Sequence, residues 1–122
     1  MPSWPANVEE LTSLPPLLFE QMERIEGTVR SAHSSAIGRE MRIRVNDERI
    51  DAIRGSLSEV TRDMDDAAAK RLQVLVQIMF SATTWLNMRD YWKLPGRECG
   101  EVAAWGIKAL IDAAIREKSS PG

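Results

Sequence analysis

Apolar residues recur along this chain at intervals of three and four, and nowhere do they alternate with polar ones long enough to make a strand. Prolines stand at positions 2, 5, 15, 16, 95 and 121, so the stretch from Leu17 to Leu94 lacks the residue that most readily breaks a helix. The pattern predicts an all-α fold of about five helices. The first starts at Pro15 or Pro16, which a first helical turn tolerates. It sets Leu18, Met22 and Ile25 on one face with Phe19 alongside, and stops at Gly27. A second, over 28–37, carries Val29, Ala32, Ala36 and Ile37 at helical spacing, with Gly38 as terminator or kink. A third spans 40–60 through Met41, Val45, Ile50, Ile53, Leu57 and Val60, with Asn46 and Asp47 either interrupting it or capping its second part. The fourth is capped by Asp63, Asp65 or Asp66, continues through Ala67, Ala68 and Ala69, and reaches Trp92. After a break at Leu94, Pro95 and Gly96, a fifth runs over 97–118.

The last two helices are apolar beyond a single stripe. From Leu72 to Met88 the fourth carries Leu72, Val74, Leu75, Val76, Ile78, Met79, Phe80, Trp85, Leu86 and Met88 around most of its circumference. The fifth places Val102, Trp105, Ala109 and Ala113 on one face and Ile107, Leu110, Ile111, Ala114 and Ile115 on others. A chain this short has few helices with which to cover both, so a second copy is the economical partner. Small residues at Gly106, Ala109 and Ala113 let a neighbouring helix come close, while Trp105 and Ile107 supply large apolar area. The expectation is a homodimer built on a four-helix bundle, two helices from each copy, with Val102, Trp105, Gly106, Ala109, Leu110 and Ala113 at the interface. A monomer whose short helices wrap both long ones is the alternative.

Composition narrows the partners. At 122 residues, 43% hydrophobic and 28% charged, the chain has material for one folded domain. The expected layout is an extension over 1–14, a helical domain over 15–118 and a tail over 119–122. A formal charge of −2 argues against unaided grip on a nucleic-acid backbone. Arg39, Arg42, Arg44, Arg49 and Arg54 do cluster, but Glu40, Asp47, Glu48 and Asp51 are interleaved, so the run reads as a solvated mixed-charge face. No apolar run reaches the roughly 18 residues of a membrane span, and the start Met1, Pro2, Ser3, Trp4, Pro5 is unlike a signal peptide. Cys99 is the only cysteine, which rules out an internal disulfide and suits a cytoplasmic setting.

Catalytic constellations are missing from the sequence, and no cofactor is expected. One His and one Cys make no zinc set, and there is no phosphate loop, dinucleotide fingerprint or nucleophile elbow. The acids at 63, 65 and 66 lack the spacing of an EF-hand loop and read as cap residues. Cys99, near a helix start, reads as a structural thiol, with redox sensing as the alternative; His33 reads as a satisfied or solvent-facing residue, with pH sensing or ligand contact as the alternative.

The segment LQVLVQIMFSATTWLNMRDYWKLPGRECGEVAAWGIKALIDAAIRE resembles the last two effector-domain helices of TetR-type transcriptional regulators. The likeness rests on Ser81, Ala82 and Trp85, then Arg89 and Asp90, then Leu94 and Gly96, then Ala104, Trp105 and Leu110; the turn and basic helix at Gly38, Arg39 and Glu40 add to it. Such regulators begin with a helix-turn-helix module of about fifty residues. Nothing before Val8 matches one, so the expectation is a sensing and dimerisation half without its own DNA reader. The resemblance implies a small, largely apolar effector enclosed between the first helices and the fourth. Phe19, Met22, Met41, Met79, Thr83, Trp85 and Met88 are the candidate ligand-binding residues, with Phe80 of the same type and Thr84, Asn87, Arg30 and Tyr91 as further polar contacts. The same thioethers and rings would equally fill a solid core, and a structural or interaction dimer with no ligand is the competing function.

Overall fold

The computed structural model describes residues 4–119, and among them it is all-helical: α1 (Val8–Arg24), α2 (Glu26–Ser34), α3 (Ala36–Arg44), α4 (Asn46–Ser56), α5 (Ser58–Thr61), α6 (Asp66–Met79), α7 (Ala82–Trp92) and α8 (Gly96–Ser119). The expected tail lies, past Ser119, outside the described residues. Eight helices replace about five because the third pattern breaks twice, at apolar residues that form no side-chain cap, and the fourth breaks at a polar cap. Leu57 and Val45 end turns within the third pattern, and Ser35 caps α3 by accepting from the Gly38 amide at 2.9 Å. Ser81 cuts the long fourth pattern in two: its hydroxyl accepts from the Thr84 amide and donates to the Ile78 carbonyl, and the Thr84 hydroxyl donates to that same carbonyl at 2.6 Å. Of the three acids proposed as caps, Asp65 fills the role, accepting from Ala68 at 2.8 Å.

α1 begins seven residues before Pro15. Asn7 caps it by accepting from the Glu10 amide, an orphan donor of the first turn, and the Glu10 carboxylate returns to the Ala6 amide just before the cap. Both prolines therefore stand inside the helix, where each removes a hydrogen bond; burial of Leu11 and Pro15 against the core offsets that loss. Likewise the break after α1 falls at Ile25, and Gly27 lies within α2; Gly38 lies within α3, where its bare Cα meets the backbone of Ala32.

The core forms two clusters strung along α8. Leu11, Ile53, Leu57, Val60, Leu72, Val76, Ile107 and Ile111 make one; Phe19, Trp85, Cys99 and Ala103 make the other; Met79 packs against both. Cys99, Ala103, Ile107 and Ile111 are spaced by four, so a single stripe of α8 serves as the spine of the domain. α1 lies along this spine at backbone range. A Cβ at Gly100 would collide with the backbone of Pro15 and Pro16, and one at Gly96 would lie 2.5 Å from the Phe19 carbonyl oxygen. Two glycines four apart thus cut the groove into which α1 settles. Ile107, expected at a dimer interface, instead belongs to this core, because it shares the buried stripe with Ala103 and Ile111. No helix among the described residues is long and apolar enough to cross a membrane.

Candidate functional site

Five of the seven expected ligand residues come together. Phe19 from α1 and Trp85 from α7 are fully buried against Cys99 and Ala103 of α8, and Met22, Met79 and Met88 close around them. The other two lie elsewhere. Met41 is 60% exposed on α3, beside a shallow depression edged by Gly27, Ala32 and Ile37. Thr83 stands on the first turn of α7 at the mouth of an open cleft shared with Arg39, Arg42 and Arg49. Met41 is expected there as an adaptable thioether and Thr83 as a polar contact; the break at Ser35 puts Met41 on a separate helix, and Thr83, two positions before Trp85 on α7, faces solvent from the other side of that helix.

Within the cluster one group has no partner. The Trp85 indole Nε1 is enclosed and makes no hydrogen bond among the described residues, and His33 Nδ1 is in the same position on α2. An indole N–H withdrawn from water without an acceptor costs about 1–3 kcal/mol, so it is poised to donate to an acceptor atom brought in by a guest. The Cys99 thiol, beside the same ring, is pushed up from its ordinary pKa chiefly by burial, with Arg89 acting weakly the other way. It is held as a neutral, unreactive thiol.

A polar clasp roofs this cluster. Arg89 of α7 donates to Glu26 at 2.8 and 3.2 Å, to Glu23 at 2.9 Å and to the Leu94 carbonyl at 3.1 Å. Glu23 uses its other oxygen to accept from the Gly96 amide at 2.8 Å, placing a carboxylate on the positive end of α8. Arg30 and Asp90 pair through two bonds, the shorter 2.6 Å, and the Arg30 guanidinium holds the Asp90 carboxyl below its usual range. The Arg89 guanidinium is in turn held charged, first by its bonds to Glu26. The Arg-Asp pair and the Leu94 to Gly96 turn therefore act together, tying the α1–α2 hinge to the α7–α8 corner.

Of the expected interface residues, Val102, Trp105, Ala109 and Ala113 stand on the far side of α8 from the spine, whereas Leu110 packs against the core and Gly106 lies between the two. Val102, Trp105 and Ala113 are exposed, Gly106, Ala109 and Leu110 are partly covered, and Trp105 keeps 75% of its surface in solvent. The stripe continues onto α6: Leu75 shares a groove of about 310 Å³ with Leu110 and Ala113, and the Met79 thioether lies beside Gly106, where an added Cβ would stand 3.6 Å from its sulfur. The rim carries both signs. Arg97, Glu98 and Glu101 lie near the start of α8, Arg116, Glu117 and Lys118 near its end, with Arg97 paired to Glu101 and Lys118 to Asp63.

Sequence reasoning passed over the arginine cleft. The interleaved acids were weighed by proximity in sequence, but none stands three or four positions from Arg39, Arg42 or Arg49, where a helix would bring them together. That spacing was the available signal. Compared with family models, with curated proteins and with solved structures, the chain finds no match.

Proposed function

We propose that this chain is a homodimerising, small-molecule-binding regulatory domain of the kind its resemblance to TetR-type effector halves implies, working in the cytoplasm as a binder and not as a catalyst. The observation that carries the reading is the uncovered apolar face of α8, with Trp105 three-quarters exposed in line with Val102, Ala109 and Ala113. A tryptophan left in water forgoes a large part of its burial energy, and a continuous apolar stripe on a long helix is the usual mark of an association surface. A second copy is the favoured occupant because the outer face can meet itself: run antiparallel across a two-fold, Glu98 at the start of one α8, which forms no ion pair among the described residues, would meet Arg116 at the end of the other.

The effector site in this reading is the Phe19–Trp85 cluster, where thioethers of Met22, Met79 and Met88 can yield to an apolar guest and the unpartnered indole N–H can bind its polar atom. The helices that would open, α1, α2 and α7, are those joined by the Arg89 clasp, so a guest would shift the corner as a unit. A scaffold with a solid core is the second reading, favoured by the complete burial of Phe19 and Trp85.

Native mass spectrometry of the purified chain, with release of any retained compound, tests the proposal. A dimer carrying a small molecule that Trp85→Phe loses, while keeping the dimer and the fold, supports it. A dimer that carries nothing and takes up no apolar compound supports the scaffold. A monomer removes both.

A further inference from the structure

We infer that the cleft between α3, α4 and the α6–α7 junction is a binding site for a small organic anion, a carboxylate or phosphate carrying an apolar group. Arg39, Arg42 and Arg49 line it, with Asn46, Ile43 and Ile78 between them and Thr83 at its mouth. Positions 39, 42, 46 and 49 are three and four apart, so one face of the α3–α4 run presents three guanidinium groups and an amide to the same space of about 810 Å³. Asp47 is the single acid that lines it, leaving the cleft with an excess of positive charge.

These arginines are not spent on ion pairs. Among the described residues, the salt bridges engage Arg24, Arg30, Arg71, Arg89, Arg97 and Lys118, and none involves Arg39, Arg42 or Arg49. Arg42 is fixed in place by donating to the Ala32 carbonyl at 2.9 Å, which leaves its remaining donors free. Arg49 is half-buried and its pKa is drawn down, first by burial and then by the neighbouring charge of Arg42. A guanidinium taken partly out of water beside another cation weakens the fold, and an anion seated between the two would reverse both costs. Residues kept at the expense of stability are characteristic of binding sites.

The remaining lining decides the ligand class. Ile43 and Ile78 are exposed apolar walls flanking the charges, which suits a head-and-tail molecule better than a bare inorganic ion. Thr83, on the first turn of α7, adds a hydroxyl to the lining. This site shares no residue with the Phe19–Trp85 cluster or with the α8 face, so its failure would leave the proposed dimer untouched.

The test is a titration of the isotope-labelled full chain, followed by the amide and guanidinium signals, with octanoate, octyl phosphate, inorganic phosphate and, as the uncharged control, octanol. The expected result is saturable movement of the Arg42, Arg49, Asn46 and Thr83 signals with octanoate or octyl phosphate, whichever headgroup fits, and weaker binding of inorganic phosphate. Arg42→Gln with Arg49→Gln should weaken that binding roughly tenfold or more. Arg49→Gln alone should melt no lower than the parent, because the charge it removes is unfavourable in the fold; an arginine kept for structure would lower the melting point. Equal movement with octanol, unchanged binding by the double variant, movement centred on Trp85 or Trp105 instead, or no binding of either octyl anion would each overturn the assignment.

Discussion

The block formed by α1, α6, α7 and α8 is richer in apolar residues than the arm formed by α2, α3 and α4, and it buries them far more completely. In the block, Phe19, Trp85, Cys99 and Ile107 are sealed from water. In the arm, α2 buries nothing and α3 buries only Gly38, while Ile37, Met41, Ile43 and Val45 are exposed. Close approach of α1 to α8 adds to that difference in composition. Gly96 and Gly100 admit α1 to the surface of α8, and the Arg89 clasp then holds the corner shut. Without such a groove, helical periodicity produces amphipathic helices that remain half in water. The arm's uncovered side is also where the arginine cleft opens.

That contrast can be broken from several directions. The largest effect is expected at Gly100. Valine there forces a Cβ into the Pro15 backbone, which cannot move aside as a side chain can, and should cost about 3 kcal/mol or more in chemical denaturation. Alanine at Gly106, on the same helix, meets only the flexible Met79 thioether at 3.6 Å and should raise the stability of the isolated chain by about 0.5–1 kcal/mol. If both changes cost the same, the groove adds nothing to what distinguishes the block.

Trp85→Ala comes next, at about 3 kcal/mol, near the low end for a buried tryptophan because the unpartnered N–H is removed with the ring. Met41→Ala in the arm should change the unfolding midpoint hardly at all. Arg89→Ala follows, at about 2 kcal/mol, since it leaves Glu23 and Glu26 facing each other half-buried. The exposed pair of Arg71 and Glu117 should contribute under about 1 kcal/mol in a double-mutant cycle.

The smallest effect is a pH dependence. Arg30 holds the Asp90 pKa below its unfolded value, so the pair's contribution is present above the ordinary carboxylate range and disappears as pH falls through the lowered folded value. Thermal melts from pH 7 downward should show part of the acid loss vanish in Asp90→Asn. An identical acid profile in that variant would mean the pair contributes nothing.

Much of this plan was legible in the chain itself. The helical class, the Asp65 cap, the turn before Gly96 and the presence of two apolar faces on the last helix all follow from spacing and caps. Their limits are equally physical. Serine caps such as Ser81 are read poorly inside an apolar run, because the hydroxyl's choice of partner depends on where the chain turns. Pro15 and Pro16 suggested a start, whereas the residues that set the start, Asn7 and Glu10, lay in a segment taken for an extension. Ile107 could not be told from Trp105 by hydrophobicity, since only packing against α1 decides which face of α8 is the inner one. In the arm, the three-and-four spacing of Arg39, Arg42 and Arg49 was present throughout but hidden by acids one or two positions away, which a helix turns to other sides.

The central claim, that the outer face of α8 meets its own copy, is tested most directly by sedimentation equilibrium of the chain and of Trp105→Glu over a range of micromolar concentrations. The account predicts about twice the chain mass for the parent and a monomer of unchanged helicity for Trp105→Glu, since a charge there would sit in the apolar seam. A parent that stays at 13.7 kDa throughout, or a Trp105→Glu chain that still sediments as a dimer, would contradict it.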